Sequence, residues 1–206
     1  MTRAWLLVIV ALAGCVVLGG CVDAGDPSWS LGHEHVVAVR AEPPALRPGE
    51  SARLDGLIAH PAAPTSDDQP AVVVVVSPRE LFTAVHYNID HWQIDCPPVA
   101  EPTPLVVEMR FPAGDVATKT VMLGDMHENP APPMVAIPDP VPLHADIALP
   151  AAEWFTSCGT LDAARPASDG QHTTLRVDEP CEGELVGVVR DLAGGVAWQV
   201  SPLHAR

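Results

Sequence analysis

Apolar and polar positions alternate along most of the chain after residue 34. The clearest run is 105–111, where Leu105, Val107, Met109 and Phe111 alternate with other residues, two of which are charged. A period of two is the pattern of a half-buried β-strand, and turn residues bound each of these runs. The pattern predicts strands at 35–42, 51–59, 71–76, 105–111, 116–123, 134–137, 143–149, 153–160, 172–177, 185–190 and 196–200.

The 23 prolines favour an all-β fold over a helical one. Proline in a helix interior costs about 3 kcal/mol, and after the first 21 residues no long proline-free window has an apolar period of 3.6. Hydrophobic residues make up 48% of the chain, which is too many for a disordered tail. Short strands separated by turns therefore predict β-sandwiches.

Two domains follow from the distribution of the strands. Three prolines between residues 130 and 133 mark a linker, so we expect a first domain at 35–127 and a second at 128–206. The stretch 79–104 holds aromatic residues, histidines, a cysteine and prolines without a clear period. We interpret it as a long insertion with one short helical or strand element.

The first 20 residues have the pattern of a secretory signal peptide. Arg3 precedes an apolar run, and Gly19 and Gly20 then lead to Cys21. A cysteine directly after small residues is typical of a bacterial lipoprotein signal, so we expect lipidation at Cys21 and a solvated tether at 21–34. Cys15 also follows a matching motif, but the residues after it are still apolar. An uncleaved membrane anchor is the remaining alternative, since 4–20 is near the lower limit of length for a span.

The charge balance limits the classes of partner. Eleven basic residues stand against 26 acidic ones, a formal net charge of −15. Such a chain is a poor candidate for binding nucleic acid or an anionic membrane surface by charge. We therefore expect contact with the membrane through the lipid alone, and no nucleic-acid partner. The chain contains a single lysine, Lys119.

Three segments carry a resemblance to a known fold family. The stretch 154–161, beginning Trp154-Phe155, looks like the third strand of a divergent immunoglobulin-like domain of the polycystic-kidney type. The closing stretches 187–191 and 194–198, and the opening 36–50, are similar to other strands of such a domain. The chain thus resembles uncharacterised lipoproteins of Gram-negative bacteria. The resemblance implies two immunoglobulin-like β-sandwich domains and gives little information about function.

A disulfide is expected between Cys158 and Cys181. Export to an oxidising compartment permits it, and in a sandwich of the implied type the end of the third strand and the turn before the sixth lie at one pole. Cys158 also has the same parity as Trp154, so both should face inward. Cys96 would be the odd thiol. Pairings of Cys96 with either partner remain open, since sequence alone does not fix connectivity.

Two clusters contain residue types that bind metals. His33 and His35 flank Glu34, and on a strand both imidazoles would face one side. The second cluster consists of His86, Asp90, His91 and Cys96, with Asp95 beside them, at spacings that suit a helix face or a loop. A zinc or copper site is possible there, but no third ligand is fixed, so we expect a solvated tether end and an exposed insertion. We expect no cofactor.

The sequence contains no motif of a known catalytic site. A Gly-x-Ser-x-Gly elbow, a phosphate-binding glycine loop and a His-Glu-x-x-His helix are all missing. We therefore expect a non-enzymatic protein of the cell envelope, anchored by lipid in the outer membrane, that binds a protein or a polysaccharide or has a structural role. A metal-binding protein that uses residues 86–96 and an accessory domain of an envelope enzyme are the alternatives.

Overall fold

The computed structural model describes residues 27–61, 63–164 and 172–206. Nine strands form the first part: β1 His35–Glu42, β2 Ala45–Leu46, β3 Ser51–His60, β4 Ala63–Asp68, β5 Val72–Ser77, β6 Val85–Asn88, β7 His91–Asp95, β8 Thr103–Arg110 and β9 Val116–Leu123. Six form the second: β10 Asp146–Leu149, β11 Glu153–Thr156, β12 Thr160–Leu161, β13 Thr173–Arg176, β14 Cys181–Arg190 and β15 Val196–Ala205. A 3₁₀ helix, Arg79–Ala84, follows β5.

The first nine strands form two facing sheets with immunoglobulin-like topology. One sheet has the order β1-β3-β7-β6, with β4 also pairing with β3, and the other has the order β2-β9-β8-β5. In immunoglobulin letters these orders are A-B-E-D and A′-G-F-C. The pairings are antiparallel except that of β2 with β9, which is parallel. Strand β4 is an additional strand in the connection from B to C.

The remaining six strands repeat this plan in a smaller form. Their sheets have the orders β10-β13-β12 and β11-β14-β15, which correspond to B-E-D and C-F-G. A parallel bridge between Val141 and Ala205 takes the place of the A′–G pair. The predicted fold class, all-β with immunoglobulin-like sandwiches, is therefore confirmed. No helix among the described residues is long and apolar enough to cross a membrane.

Each sandwich has its own core, and a third apolar cluster joins them. Leu54, Ile94 and Met109 are fully buried in the first core, and Trp154 and Leu185 in the second. The third cluster draws residues from both sandwiches: Leu31, Val37, Ala38, Leu57, Ala59, Val186, Val188 and Val196. We call this junction the seam. The two sandwiches share this apolar cluster, so the structure does not separate them at a single residue. The predicted domain boundary between residues 127 and 128 therefore stays a prediction.

The interpretation of 79–104 as an insertion is wrong. Strand β7 pairs with β3 along Ser51–Leu54, and β6 pairs with β7, so both belong to the first sheet. Ile94 of β7 has no exposed surface. Strands β6 and β7 have only four and five residues, which is too short for a clear period. Their hairpin turns at Ile89–Asp90, which is not a common turn sequence.

The expectation of a solvated tether at 21–34 is wrong for Trp29 and Leu31, which contact the second sandwich. The backbone N–H of Thr156 donates to the Trp29 carbonyl at 2.9 Å, and the Leu31 N–H donates to the Thr156 carbonyl at 3.1 Å. Leu31 is buried, and Trp29 packs against the second core. This segment therefore lies along the edge of β11 before the chain enters the first sandwich. In addition, 134–137 is not a strand, although Val135 and Ile137 pack on the second core.

Candidate functional site

The predicted metal residues on the β6–β7 hairpin do not form a common site. His86 Nε2 lies 3.7 Å from Asp95, and His91 Nδ1 lies 2.7 Å from Asp90. The His91 hydrogen bond lowers the pKa of the Asp90 carboxyl. Cys96 has the parity of Ile94, so it is buried in the core on the opposite face, where its thiol donates to the Pro97 carbonyl.

The cluster at the end of the predicted tether is not a convergent site either. The rings of His33 and His35 are stacked with centroids 4.4 Å apart, and His35 Nδ1 lies 2.9 Å from the His33 carbonyl oxygen. Within the ranges that the structure describes, no group of three histidine, cysteine or acidic side chains is arranged to hold a metal ion.

The predicted disulfide is confirmed. Cys158 and Cys181 are bonded with their Cα atoms 5.8 Å apart, and Cys96 is a free, buried thiol. Cys158 follows β11 and Cys181 begins β14, so the bond links the ends of neighbouring strands in one sheet. Cys15 and the predicted lipid site Cys21 lie outside the described residues.

A groove of about 570 Å³ lies at the seam. We call it the seam groove. One wall is formed by the turn between β3 and β4. The other is formed by the start of β14 and the end of β15. The lining residues are Leu31, Gly32, His60, Pro61, Ala63, Pro64, Thr65, Ser157, Glu182, Gly183, Glu184, Pro202 and His204. Sequence reasoning missed this site because it combines five segments that are distant along the chain.

Glu184 fixes the two walls of the seam groove to each other. Its carboxylate accepts a hydrogen bond of 2.8 Å from the backbone N–H of Thr65, across the seam. Its own backbone N–H donates to Ser157 Oγ at 2.9 Å. Gly183 lies close to the same serine, because a Cβ at that position would be 2.6 Å from Ser157 Oγ and 2.8 Å from the Cβ of Cys158. The groove is thus built on fixed backbone.

The seam groove is acidic. Two glutamates and two histidines line it, and the lining residues include neither lysine nor arginine. Further carboxylates stand behind the histidines. His60 Nδ1 is 3.7 Å from Glu34, and His204 Nδ1 is 3.4 Å from Asp139. Apart from the two imidazoles, the walls therefore carry only negative formal charge.

Basic side chains outside the groove link the two sandwiches across the seam. Arg40 forms a bidentate ion pair with Asp55, and its guanidinium lies 4.0 Å from the ring centroid of Trp198. Arg190 pairs with Glu153 and donates to the Val37 carbonyl across the seam. These cations hold the sandwiches together and are not available to the groove walls.

Lys119 is a third basic residue that links the two sandwiches, and it is almost fully buried. Its ammonium donates to the Gly194 carbonyl oxygen at 2.5 Å, which joins β9 to the turn between β14 and β15. Burial lowers the pKa of this amine to about 8, against the attraction of Asp191. In turn, the hydrogen bond with His127 lowers the pKa of Asp191, so this carboxylate is ionised at neutral pH.

A serine, a histidine and a carboxylate lie in a row beside the groove, as they do in a catalytic triad: Ser66, His60 and Glu34. His60 Nε2 is 3.1 Å from Ser66 Oγ, and Glu34 is behind the imidazole. However, the Ser66 hydroxyl donates to Asp68 Oδ1 at 3.2 Å. A serine nucleophile must give its proton to the imidazole, and here that proton is directed to a carboxylate. This geometry favours a binding surface over a hydrolytic site.

No family model matches the chain, and no curated protein matches it. Solved structures of multi-domain proteins align with 84% of the chain. They include protocadherin gamma B2 domains 3–6 (12% identity, TM-score 0.28), titin domains Z1Z2 in complex with telethonin (13%, 0.26) and the tandem immunoglobulin repeats of Dlar (13%, 0.25). The alignments cover 47%, 96% and 97% of those chains. At such TM-scores they carry no argument, so the fold assignment depends on the strand orders above.

Proposed function

We propose that this protein is a lipid-anchored, non-catalytic component of the cell envelope that binds a basic segment of a partner protein in the seam groove. The observation that carries the proposal is the groove itself. It is lined by both sandwiches, held open by fixed contacts, and bears two glutamates with no lysine or arginine among its lining residues. Loops on a rigid β-scaffold are common recognition surfaces.

The predicted anchor would keep this groove near a membrane. Leu31 lines the groove and stands ten residues after Cys21. A fully extended chain covers at most about 3.5 Å per residue, so the groove would lie within about 35 Å of the lipidated cysteine. A partner would therefore be bound close to the membrane surface, which we infer to be the outer membrane. The acidic body would remain in solvent.

The chemistry of the walls favours a cationic peptide over a polysaccharide. Carboxylates form strong, charge-assisted hydrogen bonds with arginine and lysine. Pro61, Pro64 and Pro202 present rigid apolar surface beside those carboxylates. Among the described lining residues there is no tryptophan, tyrosine or phenylalanine on whose ring a sugar could stack.

A titration with a defined peptide tests the proposal. The full-length protein, in detergent micelles, is titrated with a peptide of alternating arginine and proline and with the same peptide carrying glutamine instead of arginine. We expect binding of the arginine peptide only, and we expect Glu182→Gln to weaken it several-fold. Glu101→Gln is the matched control, because Glu101 is equally an exposed glutamate but lies outside the groove.

Each outcome of the titration bears on the proposal. Equal binding of the two peptides would contradict the role of charge. Equal weakening by Glu182→Gln and Glu101→Gln would show attraction by net charge and not by the groove. Binding of neither peptide would overturn the proposal, and a parallel titration with a neutral oligosaccharide would show whether the ligand is a polysaccharide instead.

A further inference from the structure

Exposed apolar side chains are concentrated in one segment, 72–89. Of the ten large hydrophobic side chains that are exposed in the described part of the chain, six belong to this segment: Val72, Val74, Val76, Phe82, Tyr87 and Ile89. In a protein with a net charge of −15, such a concentration on one side of one sandwich is not expected of a free surface.

These side chains lie where two sheets end. Strand β5 is the last strand of the sheet β2-β9-β8-β5 and pairs only with β8, and β6 is the last strand of the facing sheet. The 3₁₀ helix Arg79–Ala84 connects the two edges. We call this side of the molecule the C–D edge. It is remote in topology from the seam groove, since neither β5 nor β6 lines that groove.

The first four residues of β5 have the composition of a pairing strand. The sequence of the whole strand is five valines and a serine, with every second valine, 72, 74 and 76, exposed by 44–46%. Edge strands that stay unpaired usually carry charges, prolines or bulges that prevent pairing. Strand β5 carries no charged residue, and its register shift lies between Val75 and Ser77, next to Pro78, so the regular part that is free to pair is 72–75. A free apolar edge therefore offers both main-chain hydrogen bonds and apolar contacts to another strand.

We propose that the C–D edge is a homodimer interface, in which β5 pairs antiparallel with β5 of a second copy. Antiparallel pairing of identical strands obeys a two-fold axis, so that Val74 would face Val74 and Val73 would face Val75, all within the regular part of β5. The six exposed side chains present on the order of 600 Å² of apolar surface, close to the roughly 800 Å² that each partner buries in a standard interface. The absence of charge on β5 also avoids repulsion between two acidic copies at the contact.

Cysteine cross-linking in membranes tests the register as well as the interface. The full-length Val74→Cys protein is oxidised in isolated membranes, and non-reducing electrophoresis measures the fraction of dimer. Directly opposed residues in an antiparallel pair have Cβ atoms about 5 Å apart, so we expect a disulfide-linked dimer as the main species. Val116→Cys is the matched control: it replaces an even more exposed valine, on β9, two strands away from the edge.

Native mass spectrometry of detergent-solubilised protein provides a second test. We expect the wild-type protein to be dimeric and Val74→Lys to lower the dimer fraction at least tenfold, with Val116→Lys unchanged and circular dichroism confirming that both variants fold. Equal cross-linking of Val74→Cys and Val116→Cys, or a wild-type protein that is monomeric in both membranes and micelles, would overturn the proposal. Neither result depends on whether a peptide binds in the seam groove.

Discussion

Burial of Lys119 predicts an unusual rise of stability at alkaline pH. The amine has a pKa of about 8 in the folded protein and an ordinary value of 10.5 when it is exposed by unfolding. Between these two values the unfolded chain holds more protons than the folded one, so the free energy of unfolding increases with pH. Each pKa unit corresponds to about 1.4 kcal/mol, and the shift therefore predicts a gain of about 2 kcal/mol between pH 7 and pH 9.5.

The composition of the chain makes this effect measurable. Lys119 is the only lysine, so no other lysine titrates in this range. Lys119→Met keeps an unbranched side chain of similar length but removes the amine. It also leaves the Gly194 carbonyl without its partner, a loss that shifts the stability of the variant by a similar amount at each pH. The difference between the two pH profiles therefore isolates the lysine.

Thermal melts of the wild-type and Lys119→Met proteins at several pH values provide the assay. A gain of about 2 kcal/mol raises the melting temperature of a protein of this size by roughly 4–8 °C, so the wild-type melting temperature should rise by that amount relative to the variant. The groups around the amine, which are Asp55, Asp191, Arg40 and Arg190, are retained in the variant and cancel in the comparison. Parallel profiles would show that Lys119 is not buried as described and would refute this reasoning.

Three further predictions concern the cysteines and the histidines. Replacing Cys158 and Cys181 with serine should destabilise the protein by about 3 kcal/mol, as measured by denaturant unfolding, and an unchanged midpoint would contradict a structural role for the bond. Metabolic labelling with palmitate should be lost in Cys21→Ala and kept in Cys15→Ala, and the reverse pattern would move the anchor to Cys15. Metal analysis of protein purified without added metal should find no stoichiometric zinc or copper. One tightly bound equivalent that is lost when His86 and His91 are both replaced with alanine would restore the metal-binding alternative.

Local pattern was enough to predict the fold class and several strands. The alternation around Leu105, Val107 and Met109 predicts β8 almost to its bounds, because burial of one face of a strand requires a period of two. The parity of Trp154 and Cys158 likewise leads to the correct disulfide, since both residues face one core.

Elements and sites that depend on contacts between distant parts of the chain could not be predicted from local sequence. Strands β6 and β7 are short and polar on one face, and their place in the sheet follows from pairing with β3, which local sequence does not specify. The polar residues around Trp29 and Leu31 favour a solvated tether, and nothing in that local sequence indicates the contact with β11. The seam groove unites His60, Ser157 and Glu184, whose juxtaposition arises only from the packing of two sandwiches.

If the seam groove is a recognition site, a bound peptide should protect its walls from hydrogen–deuterium exchange. Amide exchange of the full-length protein is measured by mass spectrometry with and without a saturating concentration of the arginine–proline peptide. We expect slower exchange at 63–65, 182–184 and 202–204, the segments that form the groove walls, and no change at the C–D edge. Unchanged exchange in those three segments, or protection confined to another surface, would contradict a recognition site in the seam groove.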